Sequence, residues 1–478
     1  MQTTLIEYGE VMAAAPLLDS ATYAQNDGGE APQNDRRGQV PQEDRAGSGV
    51  EAPGDYGRVV REGDAKWAEG AIWWHVYPLG FCGAPIRPTA QELAGLEPQP
   101  RLRQLIGWLD YAKELGVTGL LLGPIFASQS HGYDTLDHYR IDPRLGTEAD
   151  FDDLVAACAA RGLRLVLDGV FSHVGSTHPW LLSDLAGGEG SGDLFDIDWH
   201  AAGGPRPRVW EGHGGLARFN HNSEAAIGFV TGVMKYWLAR GISGWRLDAA
   251  YSVPNSFWAA VLPAVRAEFP GAWFLGEVIH GDYARFVSDA GVNSVTQYEL
   301  WKSVWSSLKD ANLFELDWTL QRHSELLDTF VPQTFVGNHD VTRIASRVGY
   351  DNAIFAAAIL FTVGGIPSIY AGDELGFLGV KEDRIGGDDA VRPAFPESVS
   401  QISDDIDYAI QNAYLDLVAL RRERPWLATA KTSKIELTNK RYVYEVQARE
   451  GFDSLRVEID LEKNHISIVE NGNKVWEH

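Results

Sequence analysis

Eight short apolar runs, most of them separated by a helical stretch, constrain this chain more than any other feature. They are Ile72–Tyr77, Val117–Leu122, Leu163–Val170, Gly244–Ala249, Trp273–Val278, Ser294–Glu299, Gln333–Gly337 and Ile366–Tyr370. Runs of this length and composition suit strands buried on both faces. Between them, Arg101–Leu115, Glu148–Arg161, Ser223–Arg240 and Asn255–Glu268 carry helical spacing. The alternation predicts parallel βα units. Eight such units close naturally into a (β/α)8 TIM barrel of α/β class, with an open doubly wound sheet as the structural alternative.

Other segments depart from that pattern. Residues 1–66 are predicted to be a flexible arm, because 21–56 is rich in Gly, Pro, Asn, Gln, Asp and Arg and has little apolar surface to offset its ordering entropy. The barrel is expected over 67–173 and 217–425. The interval 174–216 is long and irregular, with Gly188-Glu189-Gly190-Ser191-Gly192 and Gly203-Gly204-Pro205. It predicts a small inserted subdomain after strand three. From 426 to 478 the pattern alternates, as in Tyr442-Val443-Tyr444-Glu445-Val446, and Asn471-Gly472 is a hairpin signal. A small C-terminal antiparallel β domain is expected there.

Charge narrows the partners. Lys plus Arg is 41 against 66 Asp plus Glu, a net charge of −25 that repels phosphate backbones and anionic lipid. Nucleic acid and membrane are therefore excluded as partners, and a neutral substrate fits. No run of 18 apolar residues offers a membrane span. No basic stretch precedes Val11–Leu18 as a secretory signal would require, which points to the cytoplasm. The two cysteines, Cys82 and Cys158, exclude a disulfide framework but leave a single bridge open. Oligomeric state, including a homo-oligomer, is left open.

Barrel enzymes place reacting groups at the C-terminal ends of their strands. Strand three ends Asp168-Gly169-Val170-Phe171-Ser172-His173, strand four Gly244-Trp245-Arg246-Leu247-Asp248, strand five Leu275-Gly276-Glu277 and strand seven Gly337-Asn338-His339-Asp340. Each closes on an ionisable group. Gly244, Arg246 and Asp248 share one face of strand four, while Trp245 and Leu247 face the helices. An Arg two residues before an Asp holds that carboxylate ionised and aimed. Glu277 comes from the neighbouring strand and Asp340 from across the mouth. Two carboxyls flanking one bond are what glycoside hydrolysis requires.

The four motifs, in this order, resemble those of the α-amylase family of retaining glycoside hydrolases. The resemblance extends to His131-Gly132-Tyr133-Asp134, to Asp137–Phe151 and to Phe219-Asn220-His221-Asn222. It implies that Asp248 is the nucleophile, Glu277 the acid and then the base, and Asp340 the carboxylate that holds sugar hydroxyls. It further implies that Arg246 orients Asp248, Asp168 anchors Arg246, His173 and His339 bond sugar hydroxyls, and Tyr133 stacks on the sugar. Arg392, in Asp388-Asp389-Ala390-Val391-Arg392-Pro393, would meet Asp134 and wall off the non-reducing end, favouring short substrates.

The departures bear on specificity. Tyr251-Ser252 stands where typical starch-cleaving members carry Lys-His. Ser172 stands where many carry a calcium-binding Asn, and the calcium-loop pattern is missing near Phe81–Ile86. No organic cofactor and no required metal is therefore predicted; the motifs do not support calcium, although weak calcium binding by a carboxylate-rich surface is left open. The resulting expectation is hydrolysis of α-glucosidic bonds in soluble gluco-oligosaccharides. The alternatives are a transglycosidase with the same residues, an endo-acting α-amylase and, last, a non-catalytic sugar-binding scaffold. Trp73 and Trp74 are ambiguous between sugar platform and core.

Overall fold

The computed structural model describes residues 65–187, 192–402 and 406–478. The N-terminal arm expected over 1–66 lies, up to residue 64, outside the described residues, as does most of the glycine-rich stretch at 188–191.

Eight parallel strands form one sheet in chain order: β1 Trp73–Val76, β2 Gly119–Leu122, β3 Arg164–Gly169, β4 Gly244–Leu247, β5 Trp273–Gly276, β6 Ser294–Val295, β7 Gln333–Phe335 and β8 Ile366–Tyr370. β1 pairs with β8, and a parallel bridge between Thr296 and Gln333 joins β6 to β7. The sheet is thus a barrel, not an open doubly wound layer. The expected helices form at Leu102–Leu115, Glu148–Ala160, Glu224–Ala239 and Asn255–Arg266. Thr147 starts the second through a capping box with Asp150, and the Ser223 side chain caps the third. One strand is shorter than its sequence pattern. The run read as Ser294–Glu299 ends as a strand at Val295, because Gln297 caps the helix Tyr298–Lys309 by accepting the Glu299 and Leu300 amides.

The barrel interior is filled by side chains. Trp73 stacks on Trp273 with ring centres 5.4 Å apart, among Leu121, Val166, Leu275 and Ile366. Trp73 fits because Gly119 has no Cβ; one there would stand 2.6 Å from the Trp73 ring. Trp74 points the other way, into the helix layer beside Trp108. Both tryptophans are core, which removes them as sugar platforms. Cys82 and Cys158 are buried free thiols.

After β3 the chain leaves the barrel. His173–Gly175 pairs antiparallel with His213–Arg218, which pairs with Val209–Trp210. Two histidines pin the exit: Nε2 of His138 bonds the Val170 carbonyl and Nε2 of His221 the Phe171 carbonyl, each at 2.9 Å. Burial lowers the pKa of both rings, His138 to about 4, so each donates as a neutral imidazole. At the other end of the chain, β9 Lys431–Leu437, β10 Arg441–Gln447, β11 Ser454–Asp460, β12 His465–Glu470 and β13 Asn473–Glu477 form an antiparallel meander. Asn471 and Gly472, both at positive φ, make the final hairpin turn.

Candidate active site

Strand register brings the acids together. Arg246 pairs across with Asp168 on β3, and Leu247 with Gly276 on β5, so Asp248 and Glu277 each stand one residue beyond a paired position. The ladder continues past the strands: the Asp248 amide donates to the Gly169 carbonyl at 3.1 Å and the Glu277 amide to the Leu247 carbonyl at 2.9 Å. Ala249 then adopts a left-handed conformation, φ 44°, which presents its N–H to Glu277 Oε2 at 2.9 Å.

One guanidinium serves three carboxylates. Arg246 Nη1 donates to Asp168 Oδ2 at 2.5 Å and to Asp248 Oδ1 at 3.2 Å, and its Nη2 stands 2.8 Å from Glu277 Oε1. Asp168, Asp248 and Glu277 are all buried. Burial pushes Asp168 up to about 6 against the pull of Arg246. Burial and then the neighbouring Glu277 carboxylate push Asp248 well above the usual carboxylate range, again against Arg246. Burial and carboxylate neighbours thus favour the protonated forms of Asp168 and Asp248, opposing the expectation that Arg246 alone keeps Asp248 ionised.

His339 forms the opposite wall. Its ring lies flat between Tyr77 and Tyr133, with interplanar angles of 3° and 4°. The Tyr133 hydroxyl donates to Asp168 Oδ2 at 3.2 Å and contacts His339 Nε2, which is also 3.0 Å from Asp340 Oδ2. Burial, then Arg392 and Arg246, holds the imidazole well below its ordinary pKa, so it is neutral. Asp340 is the most open of the three acids proposed to react or hold sugar, with its side chain one-third exposed. Gly337 lets this loop approach the next: a Cβ there would stand 2.1 Å from Asp373 Oδ2.

Three expected partnerships come out differently. Arg392 does not meet Asp134. Its Nη2 pairs with Asp340 Oδ1 at 2.7 Å and Asp388 Oδ2 at 3.3 Å, and its Nε donates to the His339 carbonyl. The guanidinium lies over the Tyr77 ring, which directs its fork toward the β7 loop. Asp134 instead accepts the Ser130 amide and hydroxyl within its own turn. His173 has both ring nitrogens engaged, Nδ1 with the Ser172 hydroxyl and Nε2 with the Tyr133 carbonyl, each at 2.8 Å. Tyr133 turns its ring onto His339, so its stacking face is shared with that imidazole.

Four residues outside the expected set join the site. His75 packs edge-on to His339. Trp210, from the insertion, packs tilted against His173 with ring centres 4.8 Å apart and donates to the Ser252 hydroxyl at 2.9 Å, bringing the inserted hairpin onto the loop after β4. Asn338 and Tyr298 bond each other, and Tyr298 reaches Glu277 Oε1. A cap at Gln297 followed by a helical period was the available signal for Tyr298. Beneath the acids a small cavity of about 10 Å³, room for about one water, is lined by His75, Arg246, Tyr298, Gln333 and Asn338 among others. His75 Nε2 and Gln333 Oε1 are buried without protein partners, which suits ordered water. Among the described residues, no group of three or more His, Cys, Asp or Glu is placed to hold a metal ion.

The chain is similar to known proteins in sequence and fold. Residues 101–426 match the family model described as the alpha amylase catalytic domain. Neopullulanase 2 of Thermoactinomyces vulgaris is 30% identical over 380 residues, covering 74% of this chain and 63% of that protein. Maltogenic alpha-amylase of Bacillus acidopullulyticus is 28% identical over 389 residues, covering 76% and 64%. The chain therefore spans about three-fifths of the length of these curated relatives. Among solved structures, the cyclic alpha-maltosyl-(1→6)-maltose hydrolase of Arthrobacter globiformis superposes with a TM-score of 0.71 at 24% identity, covering 82% of this chain and 92% of that one. With the barrel, the inserted hairpin and the terminal sheet all in place, the chain belongs to the α-amylase family of glycoside hydrolases.

Proposed function

We propose that the protein hydrolyses α-glucosidic bonds in short, soluble α-gluco-oligosaccharides, with retention of anomeric configuration. The observation that carries this reading is that one buried guanidinium, Arg246, holds both Asp248 and Glu277. Carboxyls on adjacent strands and one shared cation suit the separation of roughly 5–5.5 Å used for double displacement, not the ~6.5–9.5 Å gap that admits a water between them.

In the first step an Asp248 oxygen attacks the anomeric carbon while the glycosidic C–O bond breaks. Glu277 gives its proton to the departing oxygen. A β-glycosyl ester on Asp248 results. In the second step Glu277 takes a proton from water, the water oxygen attacks the anomeric carbon, and the ester bond returns its electrons to Asp248. Asp340, with His339, binds the ring hydroxyls and favours the distorted ring. Each step needs only these side chains and water.

Short substrates are favoured because Arg392, Asp388 and Asp340 form a charged, hydrogen-bonded wall at one side of the mouth. The relatives named neopullulanase, cyclomaltodextrinase and maltogenic alpha-amylase support action on α-glucans. A relative in Bacillus subtilis named intracellular maltogenic amylase, 27% identical, supports a cytoplasmic setting. The test is a panel of maltose, maltotriose, isomaltose, trehalose, sucrose and soluble starch, with products followed by chromatography and Asp248→Asn run beside the parent. Glucose or maltose release from short substrates, abolished in the variant, is expected. Rapid shortening of starch with short substrates untouched would overturn the chain-length reading, and parental turnover by Asp248→Asn would overturn the mechanism.

A further inference from the structure

Tyr298 opens the helix that follows β6. Its ring packs edge-on against Phe335 and Trp301, and only its hydroxyl reaches the acids. That hydroxyl is bonded on both sides: it donates to Glu277 Oε1 at 3.1 Å, and Asn338 Nδ2 donates to it at 3.0 Å.

The direction of this chain is fixed from its far end. Asn338 Oδ1 accepts the Asp340 amide at 2.9 Å. Flipping the amide would set donor against donor, so Nδ2 must face the phenol. A phenol oxygen that accepts from Asn338 sends its own hydrogen to the remaining partner, the Glu277 carboxyl. Arg246 Nη2 stands 2.8 Å from Oε1 as an ion pair. Oε1 therefore faces the phenol hydrogen and the guanidinium charge, whereas Oε2 accepts the single Ala249 amide. A proton placed on Oε1 would oppose the Tyr298 hydrogen and the Arg246 charge; a proton on Oε2 would still leave that oxygen an acceptor for the amide.

We infer that Tyr298 is a positioning residue for acid catalysis: its hydrogen bond, beside the Arg246 charge, makes Oε1 of Glu277 the accepting oxygen and so places the transferable proton on Oε2. The inference rests on the reading of Glu277 as acid and base. The phenol also ties Glu277 to the Asp340 loop, so the acid and the sugar-holding carboxylate are set by one string of hydrogen bonds. The charged or titratable groups facing Glu277 are Arg246 on β4, Asp248 just beyond it, Asp168 on β3, Tyr251 in the loop after β4, and Tyr298 itself.

The test uses Tyr298→Phe in the full chain with two substrates: the disaccharide turned over fastest, whose departing alkoxide needs a proton, and α-glucosyl fluoride, whose fluoride does not. The ring and its aromatic contacts remain. Loss of kcat/KM on the disaccharide should be about 10- to 100-fold, part of the ~10²–10⁴-fold that a general acid supplies. Loss on the fluoride should be less than about 3-fold. Equal losses on the two substrates, or none on either, would overturn the inference. Asn338→Asp provides a second route if Tyr298→Phe fails to fold: an acceptor at that position turns the phenol hydrogen away from Glu277, and the same leaving-group selectivity is expected. Glu277→Gln, run in parallel, separates the two levels. Disaccharide hydrolysis that survives Glu277→Gln counts against the acid assignment itself. Selectivity in Glu277→Gln without selectivity in either positioning variant counts against Tyr298 alone.

Discussion

Arg246 Nη2 stands 2.8 Å from Glu277 Oε1, while Nη1 of the same side chain bonds Asp248 and Asp168. The residue that orients one acid therefore also orients the other. A lysine supplies one point charge and no fork, so it cannot hold three carboxylates at once. Arg246→Lys should lower kcat by at least ~100-fold while the chain still folds. Arg246→Ala leaves buried acids without a counter-charge and should cost about 3–5 kcal/mol of stability. Denaturant unfolding together with steady-state kinetics checks both. A Lys variant with near-parental kcat would show that the shared guanidinium is dispensable.

Arg392 binds Asp340 instead of Asp134, and it places the polar wall directly against a substrate-holding carboxylate. Arg392→Ala should weaken that wall. The ratio of kcat/KM on maltohexaose to that on maltose should rise by about 5- to 20-fold, equivalent to ~1–2 kcal/mol at the mouth. An unchanged ratio would mean that chain length is limited elsewhere, for instance by the Trp210 hairpin.

Glu374 is buried behind β8, where it accepts the Trp74 indole and Tyr111 hydroxyl protons and has no salt-bridge partner among the described residues. Burial pushes its carboxyl up to about 7 from an ordinary 4.5. The folded state thus holds a proton that the unfolded chain has released. The stability this contributes is complete below pH 4.5 and is lost as pH rises through about 7, a decline of about 3 kcal/mol. Glu374→Gln cannot ionise, so its melting temperature should fall less than the parent's between pH 5 and pH 8. Parallel pH dependences in the two proteins would contradict this.

Asp317 joins the barrel to the terminal sheet. On the helix Phe314–Leu326 its Oδ1 accepts the buried Tyr442 hydroxyl and its Oδ2 pairs with Lys434, both at 3.0 Å. Asp317→Ala strands the phenol in the interface and should destabilise by about 1–3 kcal/mol without changing kcat. Tyr442→Phe combined with Asp317→Ala should recover part of the loss, since neither partner is then unmet.

The parts of the molecule that follow from short-range pattern were legible in the sequence. Leu163–Val170 reads as a buried strand because both its faces are covered, and Arg246 and Asp248 share a face because strands alternate. Register then carries Asp248 beside Glu277 without further information. The run Ser294–Glu299 overstates the strand Ser294–Val295 because so short a strand has no period, and the cap at Gln297 decides where it stops. Partnerships between loops were not legible. Which carboxylate Arg392 meets depends on the path of a long loop and on the Tyr77 ring beneath it. The turning of Tyr133 onto His339, and the reach of Tyr298 to Glu277, are likewise set by packing between elements far apart in the chain.

The central claim is double displacement through Asp248, and its most direct test is the configuration of the first product. Proton NMR during the first minutes of hydrolysis, before mutarotation, reports the anomer released at the cleaved bond. The account predicts the α-anomer first, with the β-anomer growing in only as the sugar equilibrates. Initial release of the β-anomer would mean a single displacement by water and would contradict the assignment of Asp248 as nucleophile.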